Sequence, residues 1–301
     1  MGIYEDLCQV LGANNLKKDE LMSRHTTFRV GGPADFFVTP EDEEQVRETV
    51  SFLKKQKIPY YIIGNGSNLL VGDKGYRGVI IQIYKKMSAI RTENSRIYAQ
   101  AGALLSKIAA EAASHSLTGF EFASGIPGTL GGAVMMNAGA YGGEMKQVLV
   151  NALALTQEGE LQVFPVEWME LGYRSSIFSK NGAVVLSAEL ELNPGDRDEI
   201  RSYMDELKMR RVEKQPLEFP SAGSTFKRPE GYFAGKLIQD AGLRGFRVGG
   251  AQVSEKHCGF VINRGNAAAA DIVSLIEQVA DKVESQFGVR LEPEVRMLGE
   301  F

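Results

Sequence analysis

The sequence predicts an α+β protein built from more than one lobe, and three observations carry that expectation. Its 301 residues exceed what one small core organises. Residues 36–63 read as strand, amphipathic helix and strand. A strand-rich stretch then runs from Ile97 to Leu192, interrupted by a segment of unusual composition. That segment, Gly119 to Glu144, reads GFEFASGIPGTLGGAVMMNAGAYGGE and holds eight glycines.

In chain order, Met1 to Ser23 reads as a helical lead-in. His25 to Asp35 turns into a strand at Phe36 to Val38. Arg29, beside Gly31 and Gly32, reaches a phosphate or carboxylate, or is simply solvated. Thr39-Pro40-Glu41-Asp42 opens a helix, with Thr39 as cap and the acids at the positive end of the helix dipole. Val46, Val50 and Leu53 share one face at helical spacing. Tyr60 to Ile63 is aromatic and β-branched, as a buried strand should be. Gly78 to Tyr84 and Ile97 to Ala101 follow as strands, and Leu105 to Ala112 as a short helix.

Beyond the glycine segment, Ala152 to Thr156, Leu161 to Val166 and Ala183 to Leu192 read as strands. Between them, Gly172 to Phe178 is either a lined pocket or a plain loop. Asp196 to Met209 is an amphipathic helix with Ile200, Met204 and Leu207 inward, which Pro216 and Pro220 prevent from continuing. Gly235 to Ala241 is a short helix and Gly259 to Asn263 a strand. Asp271 to Phe287 is a helix with Ile272, Leu275, Ile276, Val279 and Val283 on one face, stopped by Gly288. Leu291 to Arg296 is extended. These breaks place lobes at 1–85, 86–205 and 206–301.

Two glycine-bearing stretches carry the chemistry. Gly64-Asn65-Gly66-Ser67-Asn68 directly follows a strand. Its residues tolerate positive φ, so successive N–H groups can face one anion. Leu69 stands where the third glycine of GxGxxG belongs, and no Gly-Lys-Ser/Thr follows. The stretch is therefore an ordinary turn or a phosphate loop of another kind. In Gly119 to Glu144, glycines alternate with Ile126, Leu130, Val134, Met135 and Met136. Such backbone packs against a neighbouring strand, or it lies bare beneath a flat cofactor ring. Ser224-Thr225, followed across Phe226 by Lys227-Arg228, is an inert turn or a catalytic hydroxyl beside cations.

Composition excludes several classes. Hydrophobic content of 44%, charged content of 24% and a net charge of -4 describe an ordinary soluble globule with no basic footprint for nucleic acid. No apolar run is long enough to cross a membrane. The N-terminus has no basic n-region, and Asp6 spoils a myristoylation pattern. Cys8 and Cys258 make no disulfide framework, and His25, His115 and His257 show no metal-ligand spacing. The cytoplasm is the expected compartment.

Six stretches together carry a family pattern: GNGSNLL (64–70), GIPGTLGGAVMMNAGAYGGE (125–144), YRSS (173–176), AGSTFKRP (222–229), AGKLIQDAGLRG (234–245) and LEPEVR (291–296). On these the chain resembles the UDP-N-acetylenolpyruvoylglucosamine reductase family, in order and over essentially its whole length. The resemblance implies a vanillyl-alcohol-oxidase-type (PCMH-type) FAD-binding fold of two lobes with a C-terminal α+β lobe for substrate. It implies non-covalent FAD, since no His or Cys lies between Gly64 and Gly72, and NADPH as co-substrate. The implied reaction reduces an enolpyruvyl ether to a lactyl ether in peptidoglycan precursor synthesis, with hydride passing from flavin N5 to the outer vinyl carbon. The absence of a dinucleotide fingerprint agrees with NADPH binding transiently where substrate later binds.

Residue by residue, the resemblance places Gly64, Asn65, Gly66, Ser67 and Asn68 at the FAD pyrophosphate. It places Pro127, Gly128, Gly131, Gly132, Asn137, Ala138, Gly139 and Gly143 along the flavin. Arg174 and Glu294 match the residues that stabilise the enediolate, and Glu294 must be protonated to do so. Ser224 matches the proton donor, polarised by Lys227 or Arg228. Tyr141, Lys214, Lys227, Arg228 and His257 match substrate or nucleotide contacts. Arg228 stands where the family often has Asn, and there is no room after Phe178 for the tyrosine-bearing lid of the longer subtype. A compact subtype, monomeric or weakly oligomeric, is expected. Another FAD oxidase or dehydrogenase of the same fold is the competing reading; a UDP-sugar-binding module without a redox cofactor is a second.

Overall fold

A computed structural model describes residues 2–301; Met1, where the expected lead-in begins, lies outside the described residues. The chain forms two compact units. The first takes the residues up to Lys17 together with Phe36–Asn65 and Val79–Arg211; the second takes Lys18–Asp35, Gly66–Gly78 and Val212–Phe301. Each has its own apolar core.

The first unit is built on a five-stranded antiparallel sheet ordered Leu161–Pro165, Leu149–Leu155, Val184–Glu191, Arg96–Gln100 and Ile90–Glu93. Helix Leu105–Ser114 buries Leu105, Ile108, Ala109, Ala112 and Ala113. Strand Tyr60–Ile63 pairs parallel with Tyr76–Gln82, Tyr60 opposite Val79 and Ile63 opposite Gln82. The run Val79, Ile80, Ile81 is fully buried, as parallel strands covered on both faces require.

Helix Glu43–Lys55 buries Val46, Val50 and Leu53 as the spacing predicts. Its cap, however, is Asp42 and not Thr39. The Asp42 carboxylate accepts the Gln45 N–H at 2.8 Å, and the Gln45 side chain accepts the Glu41 N–H at 2.9 Å. Thr39 instead donates its N–H to Asn15 O at 3.0 Å and so belongs to the preceding extended run. The helical lead-in is also shorter than expected. Helix Ile3–Leu11 stops at Gly12 (φ 76), and Leu16–Leu21 is a strand. Glycine allows the left-handed turn-off, and Leu16 and Leu21, five apart, share no helix face.

The second unit packs helix Ala269–Phe287 on a small antiparallel sheet of Arg247–Val248, Ala251–Val253 and Val261–Asn263. Its apolar stripe is the predicted one, and Gly288 ends it at φ 67. Two aspartates satisfy the free N–H groups at its start. Asp73 accepts from Ala269 and Ala270 at 2.7 and 3.0 Å, and Asp271 accepts from Ala268 at 3.0 Å. The tail strand Arg296–Leu298 runs parallel to Leu69–Val71. Among the described residues, no helix is long and apolar enough to cross a membrane and no side-chain group could hold a metal.

Leu275 is fully buried under this helix. Leu275→Ala should cost about 2–5 kcal/mol of stability, read by urea unfolding.

Candidate active site

The floor of the first unit's site is backbone. A Cβ on Gly64 would lie 2.2 Å from Thr129 Oγ1, and Asn65 donates from Nδ2 to Pro127 O at 3.1 Å. These contacts fasten the first half of the 64–68 loop to the glycine segment. That segment is in turn fastened to the sheet. Leu130 and Gly131 donate to Ala103 O and Ala101 O, both at 2.9 Å, and a Cβ on Gly131 would meet Ala101 Cβ at 2.9 Å. Gly132 faces open space, its nearest neighbour for an added Cβ being Thr129 Oγ1 at 3.7 Å. The packing reading holds at Gly131, which meets the sheet, while Gly125, Pro127 and Gly132 are exposed.

The segment continues as helix Leu130–Met135 and a hairpin of Gly139–Ala140 with Gly143–Glu144. The hairpin turn is Tyr141-Gly142, with φ values of 53 and 89. Two successive positive φ values define the type I′ turn that suits a right-twisted hairpin. Tyrosine pays a conformational penalty there, and its ring stands 38% exposed at the tip. Asn137 (φ 42) is buried. Its Nδ2 donates to Glu144 Oε2 at 3.0 Å and Gly172 O at 3.1 Å, and its Oδ1 accepts the Lys146 N–H at 2.9 Å.

Arg174 is held by the same network. Gly172 and Ser175 exchange backbone hydrogen bonds at 3.0 and 3.2 Å, which leaves Tyr173 and Arg174 at the tip of a tight turn. Arg174 adopts φ 53. Asn137 grips the turn at Gly172 O. Ser176 grips its other end, donating Oγ–H to Met135 O at 2.8 Å and capping helix Ile177–Asn181. The Gly172 to Phe178 stretch is thus an ordered turn with its arginine in a fixed, left-handed conformation.

In the second unit, Gly66 is buried and Ser67 and Asn68 are half-buried. Among the described residues, the N–H groups of Gly66 and Ser67 donate to nothing in the chain. A buried N–H without an acceptor is rare and calls for one. Taken by itself, this run of donors fits the pyrophosphate that FAD carries.

Asn68 also connects to the candidate catalytic residues. It donates from Nδ2 to Glu294 O at 3.2 Å and accepts the Arg296 N–H at 3.1 Å. Glu294 donates its N–H to Thr225 O at 2.8 Å, so Ser224 and Glu294 lie on adjoining extended segments. Thr225, fully buried, holds this junction. Its N–H donates to Gly259 O at 2.8 Å and its Oγ1 accepts the Val261 N–H at 2.9 Å. Lys227 pairs with Glu292 at 2.9 Å, which pulls the Glu292 carboxyl below its ordinary pKa. The Arg228 guanidinium lies 4.0 Å from the centroid of the Phe233 ring. Lys214 is exposed at the end of helix Arg197–Lys214. His257 Nδ1 accepts the Gly259 N–H at 3.1 Å, and burial pushes the His257 pKa down.

Thr129 and Arg211 carry no mark in the sequence, and Thr225 stands out there only as half of an undecided hydroxyl pair. Thr129 crowds Gly64 and the Thr225 hydroxyl accepts the Val261 N–H, partners far away in sequence that no local pattern marks. Arg211 lies within the charged run RRVEK, the composition of a solvated helix face.

Residues 34–164 match the family model described as FAD binding domain, and residues 215–298 match that of the UDP-N-acetylenolpyruvoylglucosamine reductase C-terminal domain. Over 298 residues the chain is 58% identical to UDP-N-acetylenolpyruvoylglucosamine reductase of Agathobacter rectalis, covering 95% of each chain. The chain belongs to the UDP-N-acetylenolpyruvoylglucosamine reductase family. It is 55% identical to the reductase of Clostridioides difficile, over 99% of this chain and 98% of that one. The crystal structure of the Thermus caldophilus reductase superposes with a TM-score of 0.81 at 34% identity, covering 94% of this chain and 99% of that one. The α+β, PCMH-type FAD-binding fold expected of a reductase in this family is borne out, and the chain is an FAD-dependent oxidoreductase.

Thr225→Val should cost about 1–3 kcal/mol in denaturant unfolding, because it leaves the buried Val261 N–H unpaired. His257 gives a pH test. Its folded pKa lies below the ordinary value of about 6.5, so as pH falls the unfolded chain takes up the proton first. Stability should therefore decline as pH falls from about 6.5 towards the folded pKa, and be unaffected by this group above it. His257→Gln should flatten that part of the stability profile.

Proposed function

We propose that the chain reduces UDP-N-acetylenolpyruvoylglucosamine to UDP-N-acetylmuramate, with NADPH as electron donor, in the synthesis of peptidoglycan precursors. The observation that carries the assignment is the junction of Ser224 and Glu294 through the Thr225 carbonyl, beside the run of free N–H groups at Gly66 and Ser67. A proton-donating hydroxyl and a carboxyl group are fixed on one scaffold with an anion-binding loop. An oxidase of the same fold, which forms no carbanion on its substrate, has no use for that pair.

Bound FAD, held non-covalently, supplies hydride to the outer vinyl carbon of the substrate. The chain's own residues handle the charge and the proton that follow. As the inner carbon gains charge, it spreads into the adjoining carboxylate as an enediolate. Arg174, in its fixed turn, offers planar N–H donors to that carboxylate, and Glu294 donates a hydrogen bond in its protonated form. Ser224 delivers the proton to the inner carbon. One hydride and one proton then stand across the former double bond.

In this reading Gly64 to Asn68 bind the pyrophosphate, and Pro127, Gly128, Gly131, Gly132, Ala138, Gly139 and Gly143 line the flavin. Tyr141, Lys214, Lys227, Arg228 and His257 serve substrate or nucleotide. Lobes at 1–85, 86–205 and 206–301 would divide cofactor from substrate binding.

A visible spectrum of the purified protein tests the assignment. Oxidised flavin bands should bleach with NADPH and return when the enolpyruvyl sugar is added. Bands that bleach but do not return with this sugar discard the named reaction. Ser224→Ala should leave bleaching by NADPH nearly unchanged and slow the return by a hundredfold or more, because the hydroxyl acts only on substrate. Equal loss in both steps would remove Ser224 from that role.

A further inference from the structure

Among the described residues, Arg211 is the one arginine whose pKa burial pushes down, and the proposed mechanism leaves it unused. It sits on helix Arg197–Lys214, against the glycine segment. Its guanidinium lies 5.6 Å from the centroid of the Tyr141 ring, and one of its nitrogens donates to the Gly125 carbonyl. The fit is close: a Cβ on Gly125 would lie 2.9 Å from Arg211 Nε. Among the described residues no carboxylate pairs with it, whereas the neighbouring Arg210 pairs with Glu206.

A guanidinium carries five N–H donors in a planar fork, and a single carbonyl and a ring face use few of them. Burial without a counter-ion is unfavourable and pushes the Arg211 pKa down, with partial relief from Tyr141. A ring face attracts a cation but does not neutralise it. The surroundings leave room for an anion. Gly125 is exposed, Tyr141 stands at its hairpin tip, and an added Cβ at Gly142 would meet nothing within 4 Å.

We propose that Arg211, oriented by Tyr141 and the Gly125 carbonyl, binds a phosphate group of a nucleotide. Phosphate matches both the missing charge and the bidentate geometry of the fork. The proposal rests on the reading of the chain as a reductase that takes a UDP-sugar and NADPH. Either molecule can bring the phosphate: the diphosphate of the UDP-sugar, or a phosphate of the pyridine nucleotide.

The test uses the flavin-loaded full chain and two variants, Arg211→Met and Arg211→Lys. Calorimetric titration with UDP reads the first source. The dependence of the flavin bleaching rate on NADPH concentration reads the second. Arg211→Met should weaken at least one of the two affinities tenfold or more, with flavin content and thermal midpoint kept close to the parent. Arg211→Lys preserves the charge and most of the stem, so it should fold even if the methionine variant does not. It should lose a smaller part of the same affinity, because an ammonium cannot reproduce the fork. Loss for UDP alone assigns the site to the sugar nucleotide, loss for NADPH alone to the reductant, and loss for both to a place they occupy in turn. Both affinities within twofold of the parent, in a folded and flavin-loaded variant, would overturn the proposal and leave Arg211 a packing residue. A parent protein that bound neither UDP nor NADPH would bring down the functional reading first, and the proposal with it.

Discussion

Thr129 and Gly64 approach so closely that no methyl group fits between them. The first unit's share of the candidate site depends on that approach. It brings the end of strand Tyr60–Ile63 to the glycine segment, and the Asn65 to Pro127 hydrogen bond fixes the direction. The glycine segment is meanwhile pinned to the sheet at Ala101 and Ala103. The glycine-rich segment is therefore held from two sides. Rigidity comes from backbone hydrogen bonds and from side chains that are absent, a cheaper route to close approach than trimming larger residues.

Three residues near this floor occupy the left-handed region without being glycine: Asn137, Tyr141 and Arg174. Each such conformation costs on the order of 1–3 kcal/mol and persists only where neighbours enforce it. The enforcing contacts are visible. Asn137 spends its amide on Glu144, Gly172 and Lys146, which ties the Tyr141 hairpin to the Arg174 turn. Ser176 closes the other side of that turn on Met135. In the role proposed for Arg174, being held in place beforehand is an advantage, since no reorganisation is then needed during the reaction.

Much of the fold was legible from periodicity. Helix Ala269–Phe287 appears with its predicted stripe and stop, and strand Tyr60–Ile63 begins and ends where its β-branched run does. Local chemistry misled at the start of helix Glu43–Lys55: Thr39 is the expected cap, but the helix begins later and the Asp42 carboxylate accepts the Gln45 N–H. Ser224, Arg174 and Glu294 stand out in the sequence only as motif residues; in the structure Arg174 sits at the tip of a tight turn and the Glu294 N–H is bonded to Thr225 O. Arg211, Thr129 and Thr225 were not legible, because what distinguishes them is a partner far away in sequence. An arginine without a carboxylate looks in sequence like any other arginine.

The path of the chain has a consequence for biosynthesis. Membership passes from one unit to the other at residues 17/18, 35/36, 65/66, 78/79 and 211/212. Residues 18–35 and 66–78 emerge early from the ribosome, yet the rest of their unit is synthesised only after residue 211. Phe28, Val30 and Leu70 belong to a core that stays incomplete until helix Ala269–Phe287 arrives. At ordinary elongation rates of about 5–20 residues per second, those apolar side chains wait roughly ten to fifty seconds for their partners. The nascent chain is thus expected to need shielding by chaperones over that interval, and no single cut of the gene would release either unit whole.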